Sequence, residues 1–100
     1  MIRHIVLIRF KPDVTEARIA EIFAALPGLS AKLGFTHAAG RSQSPEKIER
    51  GYLHGFTLDF ADWAALQTYA DDPGHKAFGG QLVAHAEGGI DGILVFDMEA

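Results

Sequence analysis

Cysteine is absent from this 100-residue chain, which excludes disulfide bridges and thiolate chemistry. Its absence fits a reducing compartment, so the expected location is the cytoplasm. Long apolar runs are missing too. None approaches the roughly 18 to 20 residues of a membrane-spanning helix, and Met1 to Phe10 is too short for a signal-peptide core with its cleavage site. Positive charge is scarce: nine Lys and Arg against thirteen Asp and Glu leave a formal net charge of −4. The basic residues are scattered, so the chain carries no electrostatic footprint for nucleic acid. There is no internal repeat and no phosphate-cradling loop, because Gly79-Gly80 and Gly88-Gly89 lack a strand–loop–helix setting. What is plentiful is apolar character, at 48% of residues. That suffices for one domain over residues 1–100, small enough for a partner to stabilise it further.

The periodicity predicts a strand over Ile2 to Phe10, ended by Lys11-Pro12-Asp13. Asp13 with Glu16 forms a capping-box pattern, and Thr15 is the competing cap. Ile19, Ile22, Phe23 and Leu26 follow at helical spacing; Pro27-Gly28 should bend or break that helix, and Gly34 should cap its end. A weaker strand is expected over Phe35 to Arg41, a polar loop over Ser42 to Arg50, and a third strand over Tyr52 to Phe60. Asp62 should cap a short helix, Pro73 to about Glu87 should form another, and Ile90 to Met98 should be the last strand.

This order, β-α-β-β-α-(α)-β, is the ferredoxin-like α+β arrangement: a four-stranded antiparallel sheet with helices on one face. Ile5-Val6-Leu7-Ile8 and Ile93-Leu94-Val95-Phe96 do not alternate with polar residues, so both sheet faces should be buried. Helices can cover only one. The natural cover for the other is the sheet of a second copy, giving a homodimer.

Chemistry concentrates in Tyr69-Ala70-Asp71-Asp72-Pro73-Gly74-His75. Asp72 is a good N-cap and Pro73 a good first helical residue, which puts His75 in the first turn. The positive end of the helix dipole disfavours imidazolium there and favours the neutral ring, the form able to accept a proton. Taking the first and third strands as parallel central neighbours, His4 and His54 should lie near one end of the sheet. A pocket between sheet and helices would then gather His4, His54, Tyr69 and His75, walled by Phe23, Phe56, Trp63, Phe78 and Leu82.

Plainer readings stand beside this one. A lone strand histidine is ordinarily a core residue satisfied by a partner, and Tyr69 alone could be packing with its hydroxyl at the rim. His37 and His85 read as surface residues, and Asp91 and Asp97 as solvated strand ends. Three histidines from separate elements could bind a divalent metal, but no His-x-x-x-His pair supports it.

The segments Ile2 to Lys11, Gly51-Tyr52-Leu53-His54, Tyr69 to Gly79 and Ile93 to Asp97 together resemble the stress-responsive A/B barrel family, the dimeric α/β barrels. The resemblance covers essentially the whole chain. It implies two ferredoxin-like subunits pairing face to face. One family member is a polyketide cyclase that closes a linear thioester by aldol condensation with no cofactor. By that resemblance His75 would be the general base, Tyr69 would serve the developing oxyanion, and His4 and His54 would orient the groups or the substrate. Leu26 stands where the cyclase has a pocket tyrosine, and Ala84-His85-Ala86-Glu87 lacks its bulky aromatic, so the substrate does not carry over. Two other functions remain open: a non-catalytic module holding a small hydrophobic ligand, and a cofactorless monooxygenase.

Overall fold

In the computed structural model, which describes residues 1–100, the first helix is started by Thr15 and not by Asp13: the Thr15 hydroxyl accepts from the Arg18 amide at 3.1 Å. The chain runs β1 (Ile2–Ile8), α1 (Glu16–Phe23), α2 (Ala25–Leu33), β2 (Thr36–Arg41), β3 (His54–Phe60), α3 (Trp63–Asp71), α4 (Pro73–His85) and β4 (Ile93–Glu99), with one 3-10 turn at Gly89–Gly92. The break between α1 and α2 falls at Ala24, upstream of Pro27. Proline cannot donate to the carbonyl four residues back, and its ring crowds that carbonyl. That residue is Phe23, the last of α1. Gly34 ends α2 in the left-handed conformation (φ 76°), as expected of a C-cap.

The sheet order is β2-β3-β1-β4, and every neighbouring pair is antiparallel. The expected parallel pairing of the first and third strands is therefore corrected. The helical crossover lays β2 parallel to β1 with a gap between them. The β2–β3 connection then reverses the chain, so β3 fills the gap running the other way. As a result His4 faces Leu58, while His54 faces Ile8 at the opposite end of the sheet. The last strand also starts later than expected, at Ile93. Gly88 and Gly89 turn the chain with φ of 73° and 66°, and Ile90 stands exposed in the 3-10 turn.

Alternation sorts the strands by face. Ile2, Val6, Ile8, Phe56, Leu58 and Phe60 pack under the helices against Ile22, Leu26, Leu29, Tyr69, Phe78 and Leu82. Ile8 and Leu58 are wholly buried; truncating either to alanine should cost about 2–5 kcal/mol. The other face is apolar but uncovered: Leu7, Leu94, Phe96 and Met98 are all exposed, Phe96 by 60%. Large side chains lie on the β1–β4 half. Across the β2–β3 half, Gly40 pairs with Gly55 and Ala38 with Thr57, which leaves a shallow hollow there.

Candidate active site

Asp72 interrupts the helices between α3 and α4. Its backbone is extended, and its carboxylate accepts the Gly74 amide at 2.8 Å while Pro73 opens α4. The reversal folds His75 back onto α3. Its Nδ1 donates to the Ala70 carbonyl at 3.1 Å, and its ring lies 4.2 Å from that of Tyr69, centroid to centroid. A carbonyl can only accept, so Nδ1 carries the proton and, in the neutral ring, Nε2 is the free base.

Tyr69 is almost fully buried, its ring packed on Phe35 and Phe60 at 5.4 and 5.3 Å. Burial pushes its phenol well above the ordinary value, so the group stays protonated and acts as a donor. Its hydroxyl has no hydrogen-bond partner in the protein. Tyr69 is one of the residues lining the adjoining cavity.

His4 approaches Tyr69 from the sheet, edge to face at 5.9 Å. On the neighbouring strand Asp97 accepts from His4 Nδ1 at 2.5 Å. The carboxylate fixes this second tautomer in the same sense as the first. Asp97, expected as a solvated strand end, is exposed as expected and in addition pairs with His4, a contact that the sequence does not announce. Ile93, Val95, Asp97 and Glu99 alternate on the helix-side face of β4, so Asp97 and Glu99 are the two acids on an otherwise apolar stripe.

His4, Tyr69 and His75 line a cavity of about 450 Å³ between α4, the 3-10 turn and the β1–β4 half of the sheet, with Asp97 outside its wall. Its wall is nearly all apolar and includes Val6, Phe56, Phe78 and Leu82; Lys76 is the one permanently charged side chain on it. Of the residues expected to converge, His4, Tyr69, His75, Phe56, Phe78 and Leu82 do so.

His54, Phe23 and Trp63 do not. Buried His54 pairs through Nε2 with Glu16 at 2.9 Å and packs on Phe10 at the far end of the sheet. That contact, followed by the Arg41 pair, holds the Glu16 carboxyl below the usual range. Phe23 bridges the rings of Phe10 and Phe56. Trp63 is half exposed and reaches Glu99 at 3.4 Å. Nowhere do three His, Cys, Asp or Glu side chains gather in metal-binding geometry, and no helix is long and apolar enough to cross a membrane.

A family model described as the stress responsive A/B barrel domain matches residues 2–100. The chain is similar to a dimeric ferredoxin-like protein of unknown function from Jannaschia sp. CCS1, at 39% identity over 99% of this chain and 98% of that one, with a TM-score of 0.91. It is similar to olivetolic acid cyclase of Cannabis sativa, 26% identical over 80 residues, which is 78% of this chain and 79% of the relative. The hydroxynitrile lyase of Passiflora edulis superposes with a TM-score of 0.83 over 97% of this chain and 90% of that one; at 22% identity this is a likeness of fold alone.

Proposed function

The chain belongs to the stress responsive A/B barrel domain family, and on that basis we propose that it is a cofactor-independent proton-transfer catalyst acting on a carbonyl compound, as a cyclase or isomerase. The observation that carries this reading is the His75–Ala70 hydrogen bond. It leaves Nε2 as a base on a ring that lines the cavity and touches Tyr69.

Nε2 of His75 removes a proton from the carbon beside the substrate carbonyl. The Tyr69 hydroxyl donates a hydrogen bond to the carbonyl oxygen as negative charge grows there. The enolate then attacks a second carbonyl in the same molecule, and His75 returns its proton to the new alkoxide. In an isomerisation the proton goes back to a different carbon instead. Asp97 is a positioning residue: it holds His4, and His4 braces the Tyr69 ring. The relative named olivetolic acid cyclase supports the ring-closing outcome.

The test is turnover of a panel of β-keto thioesters by the wild type and by His75→Ala. Loss of a general base should lower the rate about 100- to 10,000-fold; equal rates overturn the assignment. The apolar wall supports a second reading, in which the cavity holds a hydrophobic ligand without converting it. Binding without turnover by either form favours that reading.

We further propose that the uncovered sheet face pairs with that of a second copy, as the dimeric Jannaschia relative suggests. Under a two-fold axis parallel to the strands, the bulky β1–β4 half of one copy meets the hollow over Gly40 and Gly55 in the other.

A further inference from the structure

Two stripes of α4 line the cavity. The inner one is His75, Phe78 and Leu82, and the outer one is Lys76, Gly79 and Val83. The outer stripe faces outward, with Lys76 and Val83 exposed. Between them Gly79 leaves a gap, since a Cβ built there would meet nothing within 4 Å. Lys76 forms no salt bridge, although the chain's acidic residues outnumber its basic ones thirteen to nine. The exposed Ile90 and Val95 complete an apolar rim around this opening. A greasy chamber whose one fixed charge is a free ammonium at its edge suits an amphipathic anion.

We propose that Lys76 is a specificity-determining residue: the cavity takes acyl compounds whose tail fills the apolar chamber and whose anionic head group, a carboxylate or a phosphate, rests on Lys76 beside Gly79. This rests on the cavity being the working site, as argued above, and it names the substrate class. It is independent of which reaction follows.

Calorimetric titration with octanoate, octyl phosphate and the neutral octanamide tests it. The wild type should bind an anionic probe at least about threefold more tightly than octanamide, and the margin should shrink as salt is raised. Lys76→Met should bring that ratio to about one without changing octanamide affinity, Lys76→Arg should keep it, and Lys76→Glu should invert it. Whichever anion gains more identifies the head group as a free acid or a phosphorylated carrier. A preference that survives in Lys76→Met overturns the proposal, because the anion would then be held by the imidazoles. Gly79→Leu should abolish binding of all three probes; unchanged affinity there places binding elsewhere and also overturns it. If octanamide binds the wild type and loses affinity in Gly79→Leu, but no anion is preferred, only the Lys76 proposal falls. If no probe binds the wild type, the reading of the cavity falls with it.

Discussion

Asp97 stands directly across from His4 in the β1–β4 ladder and accepts its Nδ1 proton at 2.5 Å. Asp97→Asn keeps the shape and removes the charge. We expect turnover to fall about 10- to 100-fold, the range set by a hydrogen bond to an ionised group. The nitrogen-15 shifts of the His4 ring should move at the same time, and the melting temperature should fall by several degrees with the fold intact. A rate loss with unchanged His4 shifts would show that Asp97 acts by some other route.

Tyr69→Phe separates packing from chemistry. The ring keeps its contacts with Phe35 and Phe60, and only the hydroxyl is lost. Stability should hold, and turnover should drop about 100- to 1,000-fold, as when one oxyanion donor is deleted. Paired kinetics and thermal denaturation check this.

Histidine 54 should behave differently from His75. It lies at the other end of the sheet, clasping Glu16 at the start of α1. His54→Gln should lower the melting temperature and leave turnover unchanged. A rate loss matching that of His75→Ala would place His54 back in the machinery.

The proposed pairing surface can be blocked without touching the protomer's own core. A side chain at Gly40 meets nothing within 4 Å, so Gly40→Leu should fold but fill the hollow. Analytical ultracentrifugation should find it monomeric at concentrations where the wild type is dimeric. Phe96→Ala, which removes a large exposed anchor from the other half, should weaken association about 30-fold or more.

Acid should loosen the start of α4. Lys32 at 2.8 Å, and then the Gly74 amide, hold the Asp72 carboxyl below the ordinary value. A carboxyl lowered in the folded state stabilises fully above its unfolded value of about 4, and that contribution is lost as pH falls through the lowered folded value. Asp72→Asn still caps but does not titrate there. Urea denaturation from about pH 6 down to about pH 3 should therefore fall less steeply for Asp72→Asn than for wild type. Parallel curves would mean that the ion pair contributes nothing.

The parts of this molecule governed by neighbours in sequence were legible from the residues. Asp72, Pro73 and His75 announce a helix start because capping is local chemistry, and the structure builds it there. Pro27 announces a break, though the break falls upstream because proline disturbs the residue four before it. Strand direction is not local. It depends on how the chain returns after two helices, and taking β1 and β3 as parallel carried His54 to the wrong end of the sheet. The His4–Asp97 contact spans 93 residues. Periodicity puts both Asp97 and Glu99 on the otherwise apolar face, but only the strand register says which of them meets a histidine. Trp63 belonged to a helix whose apolar stripe was visible, yet its ring ends at the surface, because α3 turns Ala65, Leu66 and Tyr69 toward the core instead.

Strand β4 is an edge strand whose alternate residues belong to different surroundings. Val95 lines the chamber and Asp97 grips His4, while Phe96 and Met98 project from the opposite side. A single backbone ribbon therefore divides the proposed reactive hollow from the surface proposed to meet a companion. Any shift of that ribbon that seats Phe96 better also moves the carboxylate behind His4. Dilution, which strips companions away, would thus be felt by the imidazole as a loosening of its support.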